Sequence, residues 1–179
     1  WRGHDAALWD ELVAAAKARM KQQPPVMIRG ADRNRGAIAT AQANARRAGV
    51  GRDLVFEHCD ISTLAPRNVA ADAPPGLLCV NPPYGQRIPG TDEAADAHRA
   101  IGEALRGPFA AWNGIVITGE PKLGQLIGCE ASRVHTVWNG AIECRLLRFA
   151  PGERKVRREA RGVIIDDTAL PQSPGAQMF

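Results

Sequence analysis

Gly76-Leu77-Leu78-Cys79-Val80-Asn81-Pro82-Pro83-Tyr84 is the stretch on which the fold reading turns. Its apolar first half reads as a short buried strand. Two consecutive prolines donate no N–H to a ladder, so the strand must stop there. Asn81-Pro82-Pro83-Tyr84 therefore sits just past a strand's carboxyl end, where open α/β sheets bind ligands. It offers an amide side chain, carbonyls at the prolines and an aromatic face, groups suited to the exocyclic amine of a planar base or amide. The plain alternative is an ordinary proline turn. The asparagine before the prolines and the Tyr-Gly after them favour a site.

Outward from this stretch, the pattern alternates strands and helices. Leu8, Leu12, Ala16 and Met20, with Trp9 and Val13 alongside, predict a helix from Asp5 to about Met20, ended by Pro24-Pro25. Val26-Met27-Ile28 begins a buried strand running to Gly30-Ala31-Asp32. A second helix spans about Asn34 to Ala48, with Ile38, Ala41, Ala45 and Ala48 as its stripe and Gly49 as its stop. Asp53 to Glu57 begins a strand that ends near Asp60, and Ile61 to Pro75 is loop or weak helix. Downstream of Tyr84, Glu93 to Arg106 is helical, with Ala94, Ala97, Ile101 and Leu105 on one face. Gly114 to Thr118 is a strand, and Pro121 suits the first turn of a short helix. Arg133–Trp138 and Ala141–Phe149 are strands joined by Asn139-Gly140, a strong hairpin signal because both residues tolerate positive φ. The order describes an α/β sheet, mostly parallel, closed by an antiparallel hairpin.

The 179 residues fit one compact domain, residues 1–150, and 45% hydrophobic content supports a core. From Pro151 periodicity fails, and residues 151–179 read as a linker or tail carrying Arg154, Lys155, Arg157, Arg158 and Arg161. A start on Trp1 in place of Met points to a piece of a longer protein. No stretch approaches a membrane span and no signal peptide is visible. The four cysteines stand far apart without a CxxC pair, so neither a zinc site nor a disulfide framework is expected. Cys79 and Cys144 read as small core residues, and a reducing cytoplasmic compartment is the expectation. A net charge of +4 and a pI near 9.2 are compatible with a nucleic-acid partner. The basic tail is either a solvated face or an RNA contact. His4, His58, His98 and His135 are scattered and assemble neither a metal nor a Ser–His–Asp pattern.

Asp32 ends a strand just before a helix. A carboxylate there can accept both ribose hydroxyls of a nucleoside, or it can cap the helix. Asp32, Asp60 and Asn81 each close a successive β-unit, which brings all three to one edge of the sheet.

Trp1-Arg2-Gly3-His4-Asp5, Gly30-Ala31-Asp32, Asn44-Ala45-Arg46-Arg47-Ala48-Gly49, Asn81 to Arg87 and Asn139-Gly140 carry a likeness to a known family. Through about residue 150 the chain resembles the S-adenosylmethionine-dependent amino-methyltransferases with an Asn-Pro-Pro-Tyr motif. Within them it is most similar to the bacterial large-subunit (23S) rRNA guanine-N2 methyltransferases, in the amino-terminal catalytic half of the fused, bifunctional form. The resemblance implies a Rossmann-like methyltransferase fold, S-adenosylmethionine as cofactor and 23S ribosomal RNA as partner. It implies that Asp60 accepts from the cofactor's adenine amine with Ile61 flanking the ring, and that Asn81 also borders the cofactor. The Asn81 side-chain oxygen and the Pro82 carbonyl would accept the two N–H of guanine N2, favouring a pyramidal nitrogen aimed at the methyl. Tyr84, the one tyrosine, would stack on an extruded base, worth about 1–3 kcal/mol. Gln86 and Arg87 follow the motif as base or phosphate contacts, with a plain surface role the alternative for Arg87.

The chain departs from this family in one respect. The family's first strand and Asp-Pro-x-x-Gly-x-Gly loop lie upstream of the ribose carboxylate, and no such run occurs here. The expectation is that the missing strand belongs between those ending at Asp32 and Asn81, and that the isolated chain binds cofactor weakly. Two other readings stand beside the first. One is amino-methylation of adenine N6 or of a protein glutamine, since both present an sp² amine. The other is a non-catalytic RNA-binding fragment, which would bind no cofactor.

Overall fold

The computed structural model describes residues 3–67, 74–83 and 91–152. Tyr84, Gln86, Arg87 and the basic tail lie outside the described residues. The chain divides into two compact units, Trp1–Leu64 and Ala65–Phe179.

The first unit opens with helix α1, Ala6–Ala18. Asp5 caps it by accepting the Leu8 N–H at 3.0 Å, so one of the four orphan donors of the first turn is satisfied. The expected stripe forms, but no residue of α1 is buried and Trp9 keeps 57% of its surface. Strand β1 is Ile28–Asp32 and strand β2 is Leu54–His58. They pair in parallel from Ile28–Leu54 to Asp32–His58. Helix α2, Arg35–Arg47, connects them, packs on both strands and buries Ala45. The Phe56 ring lies so close over Gly30 that an added Cβ there would meet it at 3.0 Å. Arg29 Nε donates to Glu57 Oε1 at 2.7 Å and ties the strands together.

β1 differs from the sequence expectation of a buried strand. Val26, Met27 and Ile28 are all exposed, and the strand begins only at Ile28. Among the described residues β1 pairs with β2 alone, in a two-stranded sheet, so its apolar run has no second strand neighbour there of the kind that covers a fully buried strand.

The second unit is a four-stranded sheet of order β3-β4-β6-β5, in which β3 is Leu77–Val80, β4 Asn113–Thr118, β5 Arg133–Asn139 and β6 Ile142–Phe149. β3 and β4 run parallel, and β6 is antiparallel to both β4 and β5. The hairpin thus sits at one edge of the sheet, as its sequence implied. Helix α3, Thr91–Arg106, and the short α4, Pro121–Leu126, flank it. Pro121 falls at the start of α4 with Glu120 as its cap, donor-free where no intrahelical donor is needed. The core is Ile101, Leu105, Phe109, Val116, Ile127 and Phe149. Full burial of one such side chain stabilises by about 1.5–3 kcal/mol. α3 and α4 approach so closely that a Cβ on Gly102 would sit 1.9 Å from the Ile127 carbonyl oxygen.

Two local expectations are corrected here. Asn139 pairs with Ile142, so the two-residue loop is Gly140-Ala141 and not Asn139-Gly140. Gly140, φ +63°, occupies the first loop position, where mirror-image hairpin turns need positive φ. Cys79 is exposed and not a core residue, whereas Cys144 is buried. β3 is an edge strand, and its burial alternates, with Leu78 covered and Leu77 and Cys79 open.

Candidate functional site at the carboxyl ends of the strands

Asp32 is the last residue of β1 and is exposed. It does not cap α2. That role belongs to Asn34, whose side-chain oxygen accepts the Gly36 and Ala37 N–H groups at 2.8 and 3.2 Å. Asp32 Oδ1 instead accepts the Asn34 N–H at 2.7 Å. This bond fixes the carboxylate against the strand-to-helix turn. The second oxygen of Asp32 takes no hydrogen bond among the described residues. His58 Nε2 meets the Arg33 carbonyl at 2.9 Å, so that ring nitrogen is the donor and holds the same turn from β2.

Asp60 follows β2 at the same edge of this sheet, where the Cys59 N–H also reaches the Asp32 carbonyl at 3.2 Å. Asp60 Oδ1 accepts the Ser62 N–H at 2.9 Å and the Ser62 hydroxyl at 2.7 Å. It caps the 3₁₀ turn Ile61–Thr63. The Ser62 backbone bond, then the Ser62 hydroxyl, hold its carboxyl below the usual range, assisted by Arg33 and opposed by partial burial. Asp60 is therefore a fixed anion with one oxygen committed to Ser62. Ile61, the first residue of that turn, is half-buried.

In the second unit the ladder ends at Val80, paired with Val116. The prolines stop the strand where the sequence said they would. Asn81 is exposed, Pro82 buried and Pro83 half-buried. The Asn81 amide has no hydrogen-bond partner among the described residues. It is thus presented to solvent on a backbone that the following buried proline pins down. The structure brings Asp32 and Asp60 to one edge of the first sheet and sets Asn81 and Pro82 at the carboxyl end of β3 in the second.

One buried polar contact near that end escaped the sequence reading. His98, on α3, is fully buried and meets Thr118, the last residue of β4. The signal was present, since His98 lies four residues after Ala94 within the apolar stripe of α3. A histidine inside an apolar stripe needs a buried partner. Among the described residues, no group of His, Cys, Asp or Glu is placed to hold a metal ion, and no helix is long and apolar enough to cross a membrane.

Comparison with known proteins puts these features in a family. The chain is 41% identical over its whole length to the ribosomal RNA large subunit methyltransferase K/L of Syntrophotalea carbinolica, and covers 24% of that protein. It is 39% identical to the protein of the same name from Methylococcus capsulatus, over 83% of this chain and 20% of the relative. The chain thus spans about a quarter of the length of the curated relatives it matches. Among solved structures, the SMU.472 methyltransferase complexed with SAH superposes with a TM-score of 0.68 at 22% identity, covering 87% of this chain and 40% of that one. A methylase from Clostridium difficile 630 superposes with the same TM-score at 24% identity, over 88% of this chain and 40% of that one. These superpositions establish the Rossmann-like methyltransferase fold, in keeping with the parallel β1-β2 and β3-β4 pairs and the antiparallel β5-β6 hairpin. The family model described as "RMKL-like, methyltransferase domain" matches residues 3–148, from the residues before α1 into β6, and by that match the chain belongs to the RMKL-like methyltransferase domain family.

Proposed function

We propose that this chain is part of an S-adenosylmethionine-dependent methyltransferase that modifies the exocyclic N2 amine of a guanine in 23S ribosomal RNA. The carrying observation is the Asn81 amide, exposed and without a hydrogen-bond partner among the described residues, at the Asn81-Pro82-Pro83 exit of β3 in a chain of this family. Residues 1–150 act as part of the catalytic domain and 151–179 as a linker or tail. The family match, which ends at residue 148, supports that division. The location that suits such a substrate is the cytoplasm.

Each residue's part follows from its donors and acceptors. The free carboxylate oxygen of Asp32 fits a ribose hydroxyl, and the turn bond from Asn34 keeps it oriented. Asp60, held charged by Ser62, keeps one oxygen for the adenine amine, with Ile61 beside the ring. By the family resemblance Asn81 is a further cofactor contact. When bound, S-adenosylmethionine supplies the methyl group.

Guanine N2 is a poor nucleophile because its lone pair delocalises into the ring. Asn81 Oδ1 and the Pro82 carbonyl accept its two N–H groups, which favours a pyramidal nitrogen with its lone pair exposed. The contribution is orientation and electrostatic preorganisation, with no covalent intermediate on the protein. Tyr84 stacks on the base. Nucleoside analysis of 23S rRNA after incubation with the full-length protein and S-adenosylmethionine tests this reading. N2-methylguanine is the expected product; N6-methyladenine, a methylated protein, or no transfer at all would contradict it.

A further inference from the structure

Between Arg33 and Arg52 the chain carries five arginines and no carboxylate. This stretch is α2 with its flanks, so one helix of the first unit is cationic at both ends. The pattern continues into a structural feature. The C-terminal turns of α2 and the start of β2 enclose an open groove of about 750 Å³. Arg46, Arg52 and Gln42 line it together with Leu54 and Phe56. Gly51 brings the backbone against Arg46, since an added Cβ would lie 3.3 Å from Arg46 Cγ.

Arg46 and Arg52 are exposed and enter no ion pair among the described residues. A cation near a helix C-terminus complements the helix dipole, which accounts for Arg46 and for its neighbour Arg47. It does not account for Arg52, which lies beyond the helix on the far side of two glycines. Two unpaired guanidiniums and an amide above an apolar floor match an anionic, partly apolar ligand. Arginine's planar fork pairs with phosphate oxygens, and the sugar and base edges can lie on Leu54 and Phe56.

We infer that this groove is a phosphate-contact site for RNA, in which Arg46 and Arg52 each neutralise a backbone phosphate. The site takes its partner class from the reading above. It belongs to α2 and the amino end of β2, whereas Asp32 and Asp60 lie at the carboxyl end of the same sheet. It therefore serves to hold the strand and takes no part in the methyl transfer.

The test is fluorescence anisotropy of the 179-residue chain with a labelled 20-nucleotide single-stranded RNA, without S-adenosylmethionine, from 50 to 200 mM salt. Each neutralised phosphate of a single strand contributes about 0.7 to the slope of log affinity against log salt. The pair Arg46→Gln and Arg52→Gln should lower that slope by about 1.4. Arg46→Lys with Arg52→Lys should restore most of it. Lys17→Gln with Lys21→Gln, which removes the same charge from the α1 region, should change the slope less. Equal slopes for the two glutamine pairs, or an unchanged slope, would overturn the site. So would displacement of the RNA by inorganic phosphate at constant ionic strength, which would assign the groove to a small anion. Because the readout is binding, its failure is separate from a failure of methyl transfer at Asn81.

Discussion

His98 Nε2 and Thr118 Oγ1 lie 3.1 Å apart and join α3 to the carboxyl end of β4. The other ring nitrogen, Nδ1, is 2.7 Å from the Ala94 carbonyl. A carbonyl only accepts, so Nδ1 carries the proton; burial favours the neutral ring, whose Nε2 then accepts the one Thr118 hydroxyl proton at 3.1 Å in preference to the Glu120 carbonyl at 3.3 Å. β3 and β4 are in parallel register up to Val80 and Val116, so Thr118 closes the strand adjacent to the one that delivers Asn81. The pair requires a neutral imidazole.

That requirement makes stability depend on pH. Burial holds His98 below its ordinary value of 6.5, partly opposed by the Ala94 carbonyl. Above 6.5 the ring is neutral folded or unfolded and contributes no pH dependence. As pH falls below 6.5 the unfolded chain takes up a proton that the folded chain resists, so stability falls until the folded pKa is passed. Urea denaturation at pH 7.5 and pH 5.5 should show the loss, and His98→Gln should reduce it. Equal pH dependence in the two proteins would contradict the neutral-imidazole assignment. Thr118→Val should cost about 1–3 kcal/mol at pH 7.5, because it leaves the buried Nε2 without a donor.

Gly102→Ala tests the contact between α3 and α4. An exposed helical glycine replaced by alanine gains about 1 kcal/mol. Here the new Cβ would sit 1.9 Å from the Ile127 carbonyl oxygen, which is backbone and cannot rotate away. Overpacking of this kind typically costs about 1–3 kcal/mol, occasionally more. A net destabilisation measured by chemical denaturation is expected. A gain of stability would mean the two elements are further apart.

Features set by short-range chemistry were legible in the sequence. Pro82-Pro83 stops a strand wherever it falls, and the β3 ladder ends at Val80. Gly49 follows the helix it was expected to end. Burial was less legible. Val26-Met27-Ile28 and Cys79 have the apolar character of core residues yet are exposed, because covering a strand depends on how many neighbours it acquires. The hairpin shifted by one residue because Gly140 can take positive φ at either loop position, and the pairing of Asn139 with Ile142 chose the first. At the site, the strand-end positions of Asp32, Asp60 and Asn81 were legible from the β-units. The use of Asn34 as the cap and of Ser62 as the partner of Asp60 was not, since neighbouring polar residues compete for the same orphan donors.

Cofactor affinity of the chain by itself is a separate check. Asp32 and Asp60 offer acceptors to a nucleoside, but the 179 residues contain no Asp-Pro-x-x-Gly-x-Gly loop. Calorimetric titration with S-adenosylmethionine should show weak binding or none. Tight binding would mean that the residues present suffice without a glycine-rich loop.

Asp32→Ala should act on cofactor binding. In the full-length protein that carries this chain, it should raise the S-adenosylmethionine KM and leave the kcat for methyl transfer less affected. A change confined to kcat would move Asp32 from cofactor to substrate.

The most direct measurement is single-turnover methyl transfer to 23S rRNA by the full-length protein with Asn81→Ala. The exposed Asn81 amide, without a partner among the described residues, is proposed to orient the target amine, and loss of one such preorganised acceptor typically lowers the rate by ~10²–10³. A fall of that order with cofactor affinity nearly unchanged is the result expected. A fully active Asn81→Ala protein would contradict the account.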